Sequence, residues 1–139
     1  ENVNIINDVV YVGSKAFLNC EKLTNVVFSD IATSEFIYES AFANCTALKS
    51  IVLPNSDVIV EGNIFENCSS LTSITFNAAT NITNNLGNIL KGCTALEKFT
   101  VNSNNPYYES SNNLLLNITF IFIVYMCLIT QKLNLFSRL

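Results

Sequence analysis

AFLNCEKLTNVVF (residues 16–28), AFANCTALKSIVL (41–53), IFENCSSLTSITF (64–76) and ILKGCTALEKFTV (89–101) are one phrase written four times. Cys20, Cys45, Cys68 and Cys93 hold the same place in each, at intervals of 25, 23 and 25 residues. Two apolar residues precede each cysteine at −4 and −3, a leucine follows at +3, and apolar residues follow at +6 and +8. Self-similarity at a fixed period of about 20–50 residues marks stacked repeats, because one unit alone cannot bury its apolar set. Stacking buries it in columns: Leu23, Leu48, Leu71 and Leu96 form one, Phe17, Phe42, Phe65 and Leu90 another. Function then lies on a repetitive surface rather than in a single pocket.

Working outward from the phrase, Val3 and Ile5 stand 17 and 15 residues before Cys20, as Ile51 and Leu53 stand before Cys68, so the chain starts inside a repeat. Alternation of apolar and variable residues predicts short strands near 3–5, 25–28, 50–53, 73–76 and 98–101. Their core-facing pairs are Val3/Ile5, Val26/Phe28, Ile51/Leu53, Ile74/Phe76 and Phe99/Val101. Turns follow at Asn7 and Asp8, Ser29 and Asp30, Pro54 and Asn55, and Asn77; Pro54 has no N–H to donate and ends its strand. A second apolar stretch comes next, at 9–12, 36–38 and 58–60. A helical turn is then expected over 14–19, 39–44 and 62–67, held by packing because a helix of about one or two turns does not persist alone. Two coils are two residues longer, and the extra residues are placed in loops at 29–35 and 78–85, where insertions cost little. The expected fold class is α/β: a solenoid of four to five coils, with short parallel strands on one face and short helical turns.

Composition narrows the function. With 139 residues, half of them apolar and only 13% charged, the chain has enough apolar surface for one continuous core, and disorder is excluded. Net charge is −4, and the seven basic residues are scattered, so the clustered basic face that nucleic acid requires is missing. There is no histidine, which removes the commonest general base and metal ligand. Phosphate-binding glycine loops and nucleophile elbows are also missing, with only four glycines present. No acid/base or nucleophile constellation can be assembled, so the chain is read as a non-enzyme without cofactors.

The spacing apolar-apolar-x-x-Cys-x-x-Leu-x-x-Ile-x-Leu, preceded by Val-x-x-Ile, resembles the BspA-like leucine-rich repeat family over residues 3–101, in five turns of which four carry the cysteine. Residues 101–116, VNSNNPYYESSNNLLL, look like that family's terminal element: Val101, Asn105, Pro106, Tyr108 and Ser110 fit, Asn112 and Asn113 replace its Asp-Gly turn, and residues 114–116 take its last strand. The fourth phrase departs from the pattern, with Gly92 before Cys93 and the approach through Leu86 and Gly87 one residue short. The resemblance implies a right-handed leucine-rich-repeat solenoid over residues 1–116. It also implies a secreted or cell-surface protein that adheres to protein partners, host or extracellular-matrix proteins among them. Fold is better specified by such a likeness than function, since solenoids serve many ends.

Several residues invite chemistry. The four repeat cysteines lie too far apart for the close pairs of a zinc site and read as a column of buried thiols, with one bridge between adjacent coils as the alternative. Asp8, Asp30 and Asp57 follow the strand in three coils and suit turn formation, with calcium the alternative. Glu35/Glu39 and Glu61/Glu66 read as solvated faces. Of the sequons at Asn44, Asn67, Asn81 and Asn117, only Asn81, placed in the long loop, is a plausible glycan acceptor.

The site candidates are the variable strand residues, which point away from the core: Asn25, Val27, Ser50, Val52, Ser73, Thr75, Lys98 and Thr100. They form a small, mostly uncharged grid, either a contact surface for protein partners or simply solvated sheet. Beyond Leu116 the character changes. Residues 118–129, ITFIFIVYMCLI, are apolar apart from Thr119, and Lys132 and Arg138 follow. As a helix, the run from Leu114 would span about 24 Å, short of the roughly 30 Å bilayer core. The tail, 117–139, is therefore open between a membrane anchor using 114–129, a strand that caps the stack, and a mismatched end. The function expected is a non-catalytic interaction module acting through the strand face and loops, with a structural spacer as the alternative.

Overall fold

The structure, a computed structural model, describes residues 1–5, 11–28, 35–82, 89–111, 114–117 and 122–126. Five strands, β1 (Asn2–Ile5), β3 (Asn25–Phe28), β5 (Ser50–Val52), β7 (Ser73–Phe76) and β9 (Lys98–Val101), lie in that order as a parallel sheet. They fall where period-two alternation put them. Their inward residues Val26, Phe28, Ile51, Ile74, Phe76 and Phe99 are buried, and Leu53 is buried just beyond β5. Val3 and Val101 pack against this core half-buried.

A second parallel sheet was not expected. β2 (Tyr11–Val12), β4 (Glu35–Ile37), β6 (Asp57–Val60) and β8 (Asn81–Ile82) are built from the second apolar stretch of each repeat. Val12, Ile37, Val58, Val60 and Ile82 turn inward from it, and β-branched side chains suit such a half-buried pleat. The second sheet corrects the reading of strands on one face only. It also relocates residues 81–82 from a loop into β8, and Asn81 with them. The insertion proposed at 29–35 falls largely outside the described residues, although Glu35 begins β4.

The helical turns are a second correction. At 13–20, 38–45 and 61–68 the corners between the sheets are chains of tight turns, with helical backbone only at Ile89 among the described residues, and the α/β class gives way to a parallel-strand β-solenoid. Backbone pairing explains this. The amides of Phe17 and Asn19 donate to the Ala41 and Ala43 carbonyls at 2.7 and 3.0 Å; those of Phe42 and Asn44 donate to Ile64 and Glu66 at 2.9 and 2.8 Å. Phe65 and Asn67 repeat the arrangement on Ile89 and Lys91 at 3.0 and 2.8 Å. Every second amide is thus bonded to the adjacent coil and unavailable to an i→i−4 ladder. Left-handed backbone at Lys15, Asn19, Ser40, Asn44 and Asn67 (φ 57–61°) breaks any helical run.

The expected count of four to five coils also changes. Three pairings join the four strands of the second sheet, so the spiral completes about three turns from β2 to β8. The higher figure fits only the strands of the first sheet. After β9 the chain leaves the spiral: β10 (Tyr108–Ser111) and β11 (Leu114–Asn117) pair antiparallel, and β12 (Phe122–Met126) pairs antiparallel with β11. Two segments of the tail's apolar run are therefore strands, while 118–121 and 127–139 lie outside the described residues. Among the described residues no helix is long and apolar enough to cross a membrane.

The columns carry the core. Leu23, Leu48, Leu71 and Leu96 are all buried. Phe17, Phe42 and Phe65 stack ring on ring, with centroids 5.0 and 5.6 Å apart and planes within 19°, and buried Leu90 holds the next position.

Candidate functional site: two rows on the first sheet

Because the strands of the first sheet are parallel and in register, outward side chains at equivalent positions stand one above another at about the 4.8 Å strand spacing. One row is Asn2, Asn25, Ser50, Ser73 and Lys98; the other is Asn4, Val27, Val52, Thr75 and Thr100. All eight residues singled out from the sequence are therefore brought together. Asn2 and Asn4 lengthen the rows, and the same alternation around Val3 and Ile5 was enough to find them. The middle of the grid is half-buried by its own neighbours, whereas Lys98 and Thr100 are exposed. Ser50 Oγ donates to Asn25 Oδ1 at 2.9 Å, tying two coils within the first row. The grid is flat, short-chained and, apart from Lys98, uncharged. A surface of that kind offers hydroxyls, amides and methyl groups to a partner at little entropic cost, since short side chains lose few rotamers.

The corner that leads into the first sheet carries two further ladders. Cys45, Cys68 and Cys93 are buried, Cys20 is half-buried at the first coil, and all four are free thiols. Each of the three buried S–H groups donates to the carbonyl of the phenylalanine one coil earlier: Cys45 to Phe17 at 3.1 Å, Cys68 to Phe42 and Cys93 to Phe65 at 3.2 Å. Burial pushes the Cys45 thiol up to about 11 and the Cys93 thiol up to about 12, and it raises Cys68 as well. Such thiols stay protonated and inert. The bridge alternative is not realised among these four.

The second ladder is an asparagine one. Asn44 Nδ2 donates to Asn19 Oδ1 at 2.9 Å and Asn67 Nδ2 to Asn44 Oδ1 at 3.1 Å, each residue in left-handed backbone. Gly92 takes the fourth place at φ +78°, and a Cβ there would lie 2.3 Å from Asn67 Oδ1. The departure noted in the fourth phrase is thus the residue that tolerates the same backbone where no side chain fits.

The other candidates are separated rather than assembled. Glu66 accepts from Lys91 Nζ at 2.7 Å and from Asn63 Nδ2 at 3.2 Å, bonds that hold its carboxyl below the ordinary value. Asp57 Oδ1 accepts from Asn81 Nδ2 at 3.0 Å, and Asp8 and Asp30 lie outside the described residues. Among the described residues no three His, Cys, Asp or Glu side chains are grouped to hold a metal. Of the sequon asparagines, Asn44 and Asn67 are engaged in the ladder, and Asn81 begins β8 with its amide on Asp57. Asn117 ends β11.

The terminal element closes the second sheet. Asn105, buried, sends Nδ2 to the carbonyls of Asn77 and Thr80 at 2.7 and 2.9 Å, and its Oδ1 accepts from the amides of Tyr107 and Tyr108 at 2.8 and 2.9 Å. Tyr108 OH donates to the Ile82 carbonyl at 3.1 Å, and its ring lies 5.1 Å from that of Phe76. Asn105 and Tyr108 together thereby take up carbonyls of the turn before β8 and of β8 itself.

Comparison with known proteins agrees with this geometry. The family model described as BspA type Leucine rich repeat region matches residues 1–123 in six copies. No curated protein matches the chain. Among solved structures, the crystal structure of a leucine-rich repeat protein from Eubacterium ventriosum ATCC 27560 at 2.50 Å resolution is similar, with TM-score 0.51 and 24% identity. The match covers 84% of this chain and 36% of that one, so the chain spans about a third of that protein's length. At this identity the likeness shows the fold alone.

Proposed function

Since the chain belongs to the BspA-type leucine-rich repeat family, we propose that it is a non-catalytic protein-interaction module whose contact surface is the two-row grid of the first sheet. One observation carries the reading: Asn25, Val27, Ser50, Val52, Ser73, Thr75, Lys98 and Thr100 fall into register as a continuous outward face. On this reading the protein is secreted or displayed at a cell surface and adheres to host or extracellular-matrix proteins. Residues 1–116 supply the stack, and 117–139 serve as a membrane anchor or a cap. If residues 1–116 are soluble while the full chain partitions into detergent, the tail is an anchor; solubility of both removes the anchor.

The surface reading is tested by the double variant Val52→Glu/Thr75→Arg, titrated beside the wild type against a panel of immobilised matrix proteins. Both side chains point outward, so the fold is retained while charge is placed in the centre of the grid. Loss of binding by tenfold or more supports the module; unchanged binding assigns contact elsewhere. If the wild type binds nothing on the panel or on host cells, the spacer role takes over.

A further inference from the structure

The outer side of the second sheet carries the largest exposed apolar side chain among the described residues. Tyr11 is 60% exposed. Register places it over Phe36, which in turn lies over Ile59, while Val12, Ile37, Val58 and Val60 point inward. The Tyr38 amide donates to the Val12 carbonyl and the Glu61 amide to the Ile37 carbonyl, both at 3.0 Å, which puts Tyr38 and Glu61 at the next outward position of successive coils. The ring of Tyr11 covers two others, with centroids 5.4 Å from Phe36 and 6.2 Å from Tyr38 and planes within 27°. Phe36 and Tyr38 are themselves 6.2 Å apart and tilted by 16°. Beside them Gly13 leaves a notch: a Cβ built on it meets nothing within 4 Å. Glu61 stands in register beside Tyr38, Glu39 follows Tyr38 with its stem beside Gly62, and Asp57, bonded to Asn81, lies two residues before Ile59; all three are exposed, as is Lys15 in the adjoining corner.

Aromatic faces rimmed by carboxylates attract cations twice, through the ring quadrupole and through charge. We propose that this aromatic face is a second contact surface, which takes an extended protein segment bearing arginine or lysine side chains. The occupant follows from charge. The chain carries −4 overall, and a second copy would bring the same carboxylates against Glu39, Asp57 and Glu61. A cationic side chain set in the notch over Gly13 stacks on Tyr11 or Tyr38 and satisfies the rim. The surface is distinct from the first-sheet grid, so the two can succeed or fail independently.

The test titrates the full chain with the peptide acetyl-Arg-Val-Arg-Val-Arg-amide, and with its glutamate counterpart, reading the tyrosine ring resonances by NMR. The arginine peptide is expected to shift Tyr11 and Tyr38, and the glutamate peptide is not. Gly13→Leu fills the notch in open space and Glu61→Lys reverses the rim; each is expected to weaken binding by about fivefold or more, with the melting temperature unchanged in Gly13→Leu. Equal response to both peptides overturns the proposal, as does binding that survives both variants. Concentration-dependent dimerisation abolished by Gly13→Leu also overturns it, by assigning the face to a second copy.

Discussion

Gly92 stands at φ +78° in a place that Asn19, Asn44 and Asn67 occupy in earlier coils. Asparagine tolerates left-handed backbone, but at Gly92 the Asn67 backbone lies only 3.1 Å from where a Cβ would be. Gly92→Ala is therefore expected to destabilise the protein by at least about 1–2 kcal/mol, the left-handed penalty alone; thermal denaturation checks it. The thiols give a pH prediction. Burial raises Cys45 and Cys93 from the ordinary 9.0 to about 11 and about 12. The unfolded chain then releases these protons first, so stability is full below pH 9 and falls as pH climbs toward the folded values. A melting temperature flat from pH 6 to 8 and declining above pH 9, less steeply in Cys45→Ala, is the expected result. Asn105 is the third residue to test. Asn105→Ala strands the Asn77 and Thr80 carbonyls, the latter buried, and two amides, and is expected to cost on the order of 3 kcal/mol, whereas Tyr108→Phe loses one hydrogen bond and costs about 1; urea denaturation separates them.

Among the elements, strands of the first sheet were legible because each carries alternating residues beside a fixed landmark, the cysteine. Val26, Ile51, Ile74 and Phe99 all lie six residues past it and all are buried. The second sheet was not legible as a sheet. Its strands are as short as Tyr11–Val12 and Asn81–Ile82, too short for alternation to register, and their pairing joins residues a whole coil apart. The corners misled for a related reason. A local apolar pair before each cysteine has helical spacing, yet the amides of Phe17, Phe42 and Phe65 are bonded between coils, which no local pattern reports. The same limit hid the aromatic face: Tyr11 and Phe36 are 25 residues apart and meet only through register. The candidate grid was legible because it is the complement of the buried pattern. Within the stacked columns, truncating the middle member removes contacts on both sides. Phe65→Ala is expected to cost about 3–5 kcal/mol and Leu71→Ala about 2–5; each should exceed the same change at Phe17, which ends its column half-buried. Chemical denaturation of the three variants makes that comparison.

For the whole molecule, the surfaces depend on one condition: equivalent residues of successive coils lie directly over one another. The grid of the first sheet and the aromatic face of the second are both consequences of that stacking. Stability in such a chain is a sum of neighbouring interfaces, so the two ends differ from the middle. Cys20 sits half-buried at the first coil, while Cys45, Cys68 and Cys93 are buried, each with its thiol bonded to the coil before it. Alkylation of the native protein with iodoacetamide at pH 8, mapped by mass spectrometry, reads this directly. Among the four repeat cysteines, stacking predicts that Cys20 is modified first, with Cys45, Cys68 and Cys93 protected until the protein unfolds; modification of Cys68 as fast as Cys20 would contradict it.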